Sequence, residues 1–575
     1  MSNSYEAIPL QEFSSYFSAA TELSSVALGG KIVSVSDEFF AKAFNLLLVE
    51  PAPSLKGQFG PNGALFSGWE SRRHNPTYDW CIIKLGTAGT IFGFDIDTAH
   101  FNGNEAPEVS VEALITSASE DPKHDDAKWF EILPKVPLGP SARHLFTIAE
   151  TSGVKYVKLN MYPDGGIARF RVYGHVSPIH PSDPSEIFDL AHVFAGGCVV
   201  FTSDQHFGVG SNLILPGRGK DMGDGWETKR SRQKGHKDWV VIKLGAAGLL
   251  STAEIDTAHF KGNFPESCEL DATTSTHDVP TDQESWTPIL SRVKLGPHRQ
   301  HFFQLENVEG VSYTHVRLTI HPDGGIKRIR VNGRRAGSQL PNVTTSTVVT
   351  ATDDIPDQDV KHDLVFSKSE AATEPEIFIP VLPLTPEAFS PFGQVVQAYG
   401  DHTAAPRGTK ITPANQGTAS KFHKLALIES SYPPESGETT GLSVYRCEPV
   451  NVLDGEVRLN MLERHPFTKQ GFIPMGGRYA GIPEAEALNN PGKAYLVVVA
   501  KTGQDDKPDL STLRAFIASA AQGIMYNTAV WHQPMTVLDR PMDFTCVETQ
   551  IGNGEKADCE IVEVETIIKM KLLGL

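Results

Sequence analysis

Short runs in which apolar and polar residues alternate dominate the first 333 residues of this 575-residue chain. Examples are WCIIKLG from Trp80, VKYVKLNMY from Val154 and IARFRVYG from Ile167, all rich in valine, isoleucine and aromatic residues. A period of two places successive side chains on opposite faces of a strand, so these runs predict β-strands. Strong helical periodicity is nearly absent, which favours antiparallel β-sandwiches, jelly-roll in style.

The pattern occurs twice. The 22 residues from Trp80 and the 22 residues from Trp239 align without gaps and are identical at 13 positions. Further shared blocks are GWE (68–70 and 225–227), IDTAHF (96–101 and 255–260) and PDGG (163–166 and 322–325). Glycine adopts the positive φ that tight turns require, so PDGG predicts a hairpin turn in each copy. We predict two sister β-sandwich domains, at 1–175 and 176–335.

The remaining third of the chain has a different character. Residues 336–376 are rich in Thr, Asp, Ser and Pro, a composition that predicts a linker. Residues 377–575 carry strand runs such as AYLVVVA at 494–500, and KPDLSTLRAFIASA at 507–520 predicts one helix. In that segment Asp509 is a suitable N-cap, and Leu513, Phe516 and Ile517 share one helical face. We expect a mostly β barrel with a few helices.

Composition narrows the possible partners. The formal net charge of -18 and the pI near 5.6 argue against general binding to nucleic acid or anionic membranes. No basic segment followed by an apolar stretch opens the chain, and the longest apolar runs have strand length. The six cysteines show no C-x-x-C spacing, so we expect reduced thiols and a cytoplasmic protein.

Polar residues recur at one strand end in each copy. Alternation places Asp97 on the same strand face as Asp95, with His100 and Asn104 in the loop beyond the strand. The second copy has Asp256, His259 and Asn263 at these positions. One interpretation is a loop cap beside a structural histidine, and the other is a ligand site. Retention of the polar residues in both copies favours the ligand site.

Arginines and glutamates form the other candidates. Glu70 and Glu227 follow a tryptophan, with Arg73 and Arg230 three residues on. Either each is a surface ion pair beside a core tryptophan, or both belong to a site. Two arginine pairs, each spaced by two residues, are either a solvated face or a clamp for a carboxylate: Arg169 with Arg171, and Arg328 with Arg330. No known metal, nucleophile or phosphate motif is present, so spacing alone yields anion binding and no reaction.

The shared blocks, spanning roughly residues 20–335, resemble the allantoicase family, which consists of two such repeats. The resemblance implies that allantoate and water give ureidoglycolate and urea. It implies proton transfer by His100 or His259 with Glu70 or Glu227, and Asp97 and Asp256 are further catalytic candidates. The candidates for substrate binding are Arg73, Asn104, Arg169 and Arg171 in the first copy, and Arg230, Asn263, Arg328 and Arg330 in the second. Which copy is active stays open.

The segments 381–396, 414–427, 462–475, 505–517 and 522–535 resemble ureidoglycolate lyase, a cupin-like β-barrel that splits ureidoglycolate into glyoxylate and urea. This implies His465 and His532 as acid–base candidates, the alternative being that both are structural. Substrate-binding candidates are Lys421, Arg446, Arg464, Gln470 and Asn527; Lys421 stands where the family carries arginine. The cupin H-x-H pattern is absent, so no cofactor is certain; a divalent metal on His465, Gln470 and His532 stays open.

The two resemblances describe consecutive reactions. We therefore expect a bifunctional enzyme of allantoin degradation that binds allantoate and ureidoglycolate, with a homo-oligomer through the lyase domain left open. The alternative is a pair of carbohydrate- or ligand-binding β-sandwiches fused to a cupin, with only one or no active domain. The exposed aromatic platform of a sugar-binding module is not evident in the sequence, which favours the enzyme.

Overall fold

The computed structural model describes residues 4–17, 20–118, 120–125, 129–281, 283–337, 377–452, 455–477 and 493–572. The chain divides at Ala336 into two compact units. The segment predicted as a linker, 336–376, lies outside the described residues beyond Gly337. The described fold is mainly β, as predicted, with the helices α1 (Phe13–Phe17) and α2 (Pro386–Phe389). Short 3₁₀ turns are Leu10–Glu12, Val26–Leu28, Ala43–Leu47, Val193–Ala195, Gly210–Ile214, Met222–Asp224, His402–Ala404 and Asn415–Gly417.

Repeat 1 is a jelly-roll-like sandwich. Its strands are β1 (Tyr5–Ile8), β2 (Thr21–Glu22), β3 (Lys31–Val35), β4 (Phe59–Gly60), β5 (Gly63–Ala64), β6 (Trp69–Glu70), β7 (Asp79–Asp97), β8 (Glu108–Leu114), β9 (Phe130–Pro137), β10 (Arg143–Tyr162), β11 (Gly166–Ile167) and β12 (Arg169–Val176). The main sheet has the order β2-β12-β7-β10-β8-β9, with β1 on β10 and β3 on β7. Register shifts between Thr147 and Tyr156 interrupt the pairing of the long strands β7 and β10, and such bulges bend a sheet.

Repeat 2 reproduces this topology. Its strands are β13 (Phe188–Asp189), β14 (Cys198–Thr202), β15 (Trp226–Glu227), β16 (Asp238–Asp256), β17 (Ser267–Thr273), β18 (Thr287–Lys294), β19 (Gln300–Gln304), β20 (Ser312–His321), β21 (Gly325–Ile326) and β22 (Arg328–Arg335). The order β13-β22-β16-β20-β17-β18 corresponds strand for strand to that of repeat 1. Trp69 and Trp226 occupy equivalent, fully buried core positions.

The PDGG segments do not form the predicted hairpins. In repeat 1 the segment leaves β10 and leads to β12, but these strands pair with opposite edges of β7 and not with each other. After the turn, β11 pairs with β6 and places Gly166 opposite Glu70. A Cβ at Gly166 would collide with the buried ring of Phe101, so the second glycine is required for close packing.

The C-terminal unit contains a closed barrel. Its strands are β23 (Ile377–Pro383), β24 (Gly393–Val396), β25 (Lys410–Ala414), β26 (Ala419–His423), β27 (Thr439–Cys447), β28 (Glu456–Arg464), β29 (Gln470–Gly477), β30 (Ala494–Thr502), β31 (Pro508–Ser519), β32 (Gly523–Tyr526), β33 (Trp531–His532), β34 (Thr536–Val537), β35 (Met542–Gln550) and β36 (Glu560–Lys571). Strands β31, β23, β36, β28, β33 and β30 form a ring that closes between β30 and β31. A second sheet, β24-β32-β29-β35-β27, packs in the same unit. The cupin-like prediction is confirmed.

The predicted helix at 507–520 is wrong, because these residues form strand β31. The strand pairs antiparallel with β30 and parallel with β23, and it buries Leu513, Ala515, Phe516 and Ala518. The carboxylate of Asp509 accepts the Ser511 N–H at 3.1 Å, which is a local turn and not a helix cap. Tertiary pairing therefore overrides a helical spacing of only three apolar residues.

Candidate active sites

In repeat 1, four polar side chains form a compact cluster at one end of the sandwich. Glu70 is 6% exposed, and its Oε1 accepts hydrogen bonds from Asn104 Nδ2 at 3.0 Å and Arg73 at 3.4 Å. Arg73 also donates to Asp164 of the PDGG segment at 3.2 Å and to the Asn104 carbonyl at 3.1 Å. Burial raises the pKa of Glu70 above its ordinary value, against the opposing effects of Asn104 and Arg73. The structure thus brings together Glu70, Arg73 and Asn104, as the sequence suggested.

Asp97 lies at the end of β7, directly paired in register with Arg169 of β12. Its Oδ1 accepts the Ala99 N–H at 2.8 Å, and no cation bonds to this carboxylate within the part of the chain that the structure describes. Burial, together with the nearby charge of Asp95, raises the pKa of Asp97. Asp97 is therefore a half-buried carboxylate that keeps free acceptor capacity.

His100 and His259 share an unusual backbone conformation. Their φ angles are 70° and 68°, in the left-handed region that non-glycine residues rarely adopt. The exposed His100 ring places Nε2 3.0 Å from the Ala52 carbonyl, whereas the His259 N–H donates to His298 Nδ1 at 2.8 Å. Left-handed residues of this kind concentrate at functional sites, because the surrounding structure must compensate for their strain.

In repeat 2 the equivalent carboxylate is paired. Asp256 is fully buried, and both its oxygens accept from Arg218, at 2.7 and 2.9 Å. Arg218 belongs to a connection of 11 residues, 215–225, where repeat 1 has the longer segment 48–68. Glu227 still accepts from Asn263 at 2.5 Å, but Arg230 is exposed and pairs with neither Glu227 nor Asp323 among the described residues. The two copies thus share residues but not their pairing.

The paired arginines are not open carboxylate clamps, and they are not a solvated face. Arg169 is 1% exposed and donates to the carbonyls of Glu50, Ser67 and Ala168 and to the Ser67 hydroxyl. Nη1 of Arg171 donates to both carboxylate oxygens of Glu22, at 2.9 and 2.8 Å. In repeat 2, the buried Arg328 donates to the carbonyls of Asp224 and Lys327, and Arg330 donates to the carbonyls of Leu215 and Gly217. These side chains fasten the long connections to β12 and β22.

One feature shared by both copies was not predicted. Lys158 forms a 2.8 Å ion pair with Glu112 and lies 4.9 Å from the Trp129 ring. The counterpart in repeat 2 is Arg317, paired with Asp271 at 2.8 Å and lying 4.5 Å from the Trp286 ring. Lysine replaces arginine and glutamate replaces aspartate, so identity between the copies could not reveal this cation–carboxylate–tryptophan stack.

The C-terminal unit has a cavity of about 270 Å³. Its lining residues come from several strands and loops: Tyr445, Cys447, Glu463, His465, Phe472, Pro534, Met535, Glu548, Gln550, Asp558 and Cys559. His465 was predicted as a site residue, whereas Glu463 and Glu548 were not. Glu463 could have been predicted from His465, because residues two apart on a strand share one face and Glu463 precedes His465 by two positions at the end of β28. Glu548, Asp558 and Cys559 come from distant segments and have no comparable local signal.

Glu463 and His465 of this lining form a cluster with the buried His532. Their potential ligand atoms all lie within 4.8 Å of one another. Nδ1 of His465 lies 2.7 Å from the Asp558 carbonyl, and Nδ1 of His532 lies 3.0 Å from the Val530 carbonyl. Carbonyls only accept hydrogen bonds, so each Nδ1 carries the proton and each Nε2 keeps its lone pair. Both Nε2 atoms are buried and lack a hydrogen-bond partner.

The pKa values in this centre are strongly shifted. Burial, with a smaller contribution from the Glu548 charge, raises the pKa of Glu463 to about 7. Burial and the neighbouring His465 lower the pKa of His532 to about 3, and burial lowers the pKa of His465. At neutral pH the two histidines are therefore neutral, and Glu463 exchanges its proton.

This centre satisfies the chemical requirements of a divalent-metal site. Two imidazole nitrogens with free lone pairs and a carboxylate converge, and each imidazole N–H is held by a backbone carbonyl, as is typical of metal-binding histidines. Gln470 donates to Glu548 at 2.9 Å, and its Oε1 is buried without a partner. The sequence left open whether His465, Gln470 and His532 hold a metal; in the structure, Glu463 lies with the two histidines.

Six of the seven residues predicted for this unit are not among the lining residues of the cavity: the buried Gln470 and His532, and the four described next. Arg464 points away from it, binds Asp506 and Glu560 and lies over the Trp531 ring at 4.6 Å. Arg446 is exposed and pairs with Asp543, and Asn527 accepts from Gln394. Lys421 lies exposed on the β25–β26 hairpin.

These features define an enzyme in two parts: a duplicated sandwich with carboxylates and histidines at one end, and a cupin-like barrel around a Glu–His–His centre. Comparison with known proteins agrees. A family model described as allantoicase repeat matches residues 21–177 and 188–336, and one described as ureidoglycolate lyase matches residues 376–571. The chain therefore belongs to the allantoicase family and carries a ureidoglycolate lyase domain. It is a bifunctional enzyme of allantoin degradation, as the sequence predicted.

The relatives cover the N-terminal part of the chain. A probable allantoicase of Schizosaccharomyces pombe is 49% identical over 337 residues, covering 57% of this chain and 97% of the relative. An allantoicase of Neurospora crassa is 47% identical over 328 residues, covering 56% of this chain and 92% of the relative. The crystal structure of allantoicase from Saccharomyces cerevisiae matches with a TM-score of 0.51 and 44% identity, covering 57% of this chain and all of that one.

No helix among the described residues is both long and apolar enough to cross a bilayer. No disulfide joins the six cysteines, all of which lie in the described part of the chain, and Cys81, Cys268 and Cys546 are buried.

Proposed function

We propose that the repeats convert allantoate and water to ureidoglycolate and urea, and that the C-terminal unit splits ureidoglycolate into glyoxylate and urea. Each substrate carries a carboxylate and a ureido group on the carbon where a C–N bond breaks. Both reactions need a base and a proton donor at that carbon, and positioned side chains typically accelerate such steps by about 10²–10⁴-fold.

We propose that repeat 1 carries the hydrolytic centre. The observation that supports this assignment is the pairing of Asp256 with Arg218, which has no counterpart at Asp97. A carboxylate held by a bidentate guanidinium is a weak base, because protonation would break two charge-assisted hydrogen bonds. Asp97 has free acceptor capacity and a raised pKa, so it is suited to take a proton from the attacking water.

Glu70 is suited to the complementary role. The carboxyl is buried, its pKa is raised, and Asn104 and Arg73 fix its position. It can hold a proton for the departing urea nitrogen, while the exposed His100 contacts the substrate from the loop. Glu70 and Asp97 flank one short segment, since Glu70 pairs with Gly166 and Asp97 pairs with Arg169.

The test is steady-state hydrolysis of allantoate by two matched variants, Asp97→Asn and Asp256→Asn. Asparagine keeps the size of the side chain and can still accept the N–H of the residue two positions on. We expect Asp97→Asn to lower kcat by about 100-fold or more, and Asp256→Asn to change kcat only a few-fold. Equal losses in both variants, with both proteins folded by circular dichroism, would reject the assignment to repeat 1.

In the lyase unit, the proposed reaction is an elimination. A base removes the proton of the carbinol hydroxyl, and the C–O bond becomes the carbonyl of glyoxylate. The C–N bond breaks, and its electron pair leaves on the urea nitrogen, which takes up a proton. When the centre holds no ion, Glu463 can carry this proton from oxygen to nitrogen, because burial raises its pKa to about 7.

A divalent ion held by Glu463, His465 and His532 would supply Lewis acidity toward a substrate oxygen. The remaining contributions come from the chain itself. Glu548 fixes Gln470, and the Asp558 carbonyl fixes the tautomer of His465. Metal analysis of purified protein tests the site independently of activity: we expect about one ion per chain in the wild type and loss of the ion in His532→Ala.

We further propose that the protein is cytoplasmic and forms a homo-oligomer through the lyase unit. Strand β27 supports the assembly. It is the edge of its sheet, and its outward side chains Leu442 and Val444 are 75% and 63% exposed. Exposed apolar edge strands favour pairing with another chain. Light scattering of the purified protein tests this proposal, with a mass of 62.6 kDa expected for a monomer.

A further inference from the structure

The lyase cavity has the wrong charge for its proposed substrate. Three carboxylates line it (Glu463, Glu548 and Asp558), and neither lysine nor arginine is among the lining residues in the described part of the chain. The ureidoglycolate carboxylate would enter a cavity lined by acidic side chains. Even with an ion on Glu463, His465 and His532, the cavity keeps two further carboxylates. Within the described part of the chain, the cavity lining therefore supplies no cation for the substrate carboxylate.

The predicted carboxylate partners leave one candidate. Arg464 forms ion pairs with Asp506 and Glu560, and Arg446 forms an ion pair with Asp543. Lys421 forms no ion pair within the part of the chain that the structure describes, and it does not line the cavity of its own chain.

Lys421 belongs to a basic arm. Strands β25 and β26 form a separate two-stranded sheet that joins neither larger sheet of the unit. Residues Lys410, Thr412, Lys421 and His423 share one face of this hairpin, because Thr412 pairs with Lys421 and Lys410 pairs with His423. Lys410 and Lys421 are exposed. The arm therefore presents two free ammonium groups on one face.

Strand β27 connects the cavity with the surface that is open to a second chain. Tyr445 and Cys447 from this strand line the cavity, while the exposed Leu442 and Val444 project from the opposite face of the sheet. A second copy that pairs with the open edge of β27 would therefore border the cavity. Its basic hairpin and the acidic cavity are complementary in charge, which selects a second copy of this chain as the occupant.

We propose that the lyase site is completed in trans: Lys421 on the β25–β26 hairpin of a second copy binds the substrate carboxylate at the Glu463–His465–His532 cavity. The proposal rests on the proposed lyase activity and on the proposed assembly through β27. Each cavity then contains the proton-transfer groups of one chain and the carboxylate-binding lysine of the other.

The test is complementation between two variants, His465→Ala and Lys421→Ala. Each protein alone should release glyoxylate at least about 100-fold more slowly than the wild type. Co-expressed with separate tags and purified through both tags, the mixed assembly should regain activity. In a mixed dimer one of the two sites has both an intact cavity and an intact lysine, so roughly half of the wild-type rate is expected.

Several results would overturn the proposal. Full activity of Lys421→Ala, no recovery in the mixed assembly, or a monomer that is fully active would each reject completion in trans. Allantoate hydrolysis serves as the folding control, because neither substitution lies in the repeats. If the wild type itself releases no glyoxylate from ureidoglycolate, the proposed lyase function fails instead, so the two failures are distinguishable.

Discussion

Repeat 1 and repeat 2 agree in the residues that build the sandwich and differ in how those residues are paired at one strand end. In both copies, a serine hydroxyl donates to the aspartate that begins the long strand: Ser36 to Asp79, and Ser203 to Asp238. By contrast, Asp97 is open and Asp256 is held by Arg218. Both copies therefore share these fold determinants, while only the 215–225 connection of repeat 2 supplies an arginine that pairs with the aspartate at the strand end.

The largest effect is expected from removing the pairing that distinguishes repeat 2. Arg218→Met leaves Asp256 fully buried without its cation, and breaking a buried pair in this way typically costs about 3–5 kcal/mol. Since the Arg218 side chain is 49% exposed, we expect the lower end, about 3 kcal/mol. Urea unfolding of the N-terminal unit measures this loss in the free energy of unfolding.

The matched variant in repeat 1 is Asp97→Asn, which should change the free energy of unfolding by less than about 1 kcal/mol, since no cation depends on Asp97. A destabilisation by Arg218→Met no larger than that of Asp97→Asn would show that the two strand ends are energetically alike.

A smaller effect, equal in both copies, is expected at the close approach of the PDGG segment. Gly166→Ala and Gly325→Ala each place a Cβ against a buried ring, Phe101 or Phe260. Overpacking of this kind costs about 1–3 kcal/mol. Thermal unfolding should show similar losses for both variants. A large loss in only one copy would mean that the two sandwiches have diverged in packing as well as in pairing.

The fold was predictable from the sequence where the signal is local. Period-two patterns and the repeated blocks predicted the strands and the duplication, because both are local signals. The PDGG hairpin and the helix at 507–520 were wrong, since partner choice for a strand depends on residues far away in the chain.

The site was predictable only in part, for a similar reason. Glu70 belongs to a block repeated in full, Asn104 follows another such block by three residues, and the structure brings the two side chains together. Arg218 pairs with Asp256 across 38 residues and lies in a connection that differs in length between the two copies. Glu548 and Asp558 reach the lyase cavity from segments that follow His465 by more than 80 residues. Such contacts follow from topology and leave no local signal.

A buried histidine in repeat 2, His301, should make the stability of the protein depend on pH. His301 is fully buried; its Nδ1 donates to the Ile255 carbonyl, and its Nε2 accepts the Gly296 N–H. Burial lowers the pKa of His301 to about 3 in the folded state. In the unfolded state this histidine has a pKa near 6.5 and binds a proton as the pH falls below that value, whereas in the folded state it stays neutral down to about pH 3. Stability therefore falls as the pH falls from 6.5 toward 3.

Between pH 6.5 and 5 this histidine should cost about 2 kcal/mol of stability. We expect His301→Gln to remove that part of the pH slope in urea unfolding, whatever its effect at pH 8. His144 makes the equivalent bonds to Ile96 and Gly139 in repeat 1, so His144→Gln provides the matched variant. An unchanged slope in His301→Gln would show that other groups govern acid sensitivity.

The smallest effect on stability, and the most direct separation of the copies, is expected at the left-handed histidines. Glycine adopts φ near 70° without the steric cost that a Cβ imposes, so His100→Gly and His259→Gly should be neutral or stabilising by up to about 1 kcal/mol. The same substitution should abolish most allantoate hydrolysis at position 100 and little at position 259, because only repeat 1 keeps an open carboxylate beside the loop. Thermal unfolding and urea release, measured on the two variants in parallel, separate backbone strain from chemistry. If both variants lose activity equally while remaining folded, both loops contact substrate, and the availability of Asp97 does not decide which copy works.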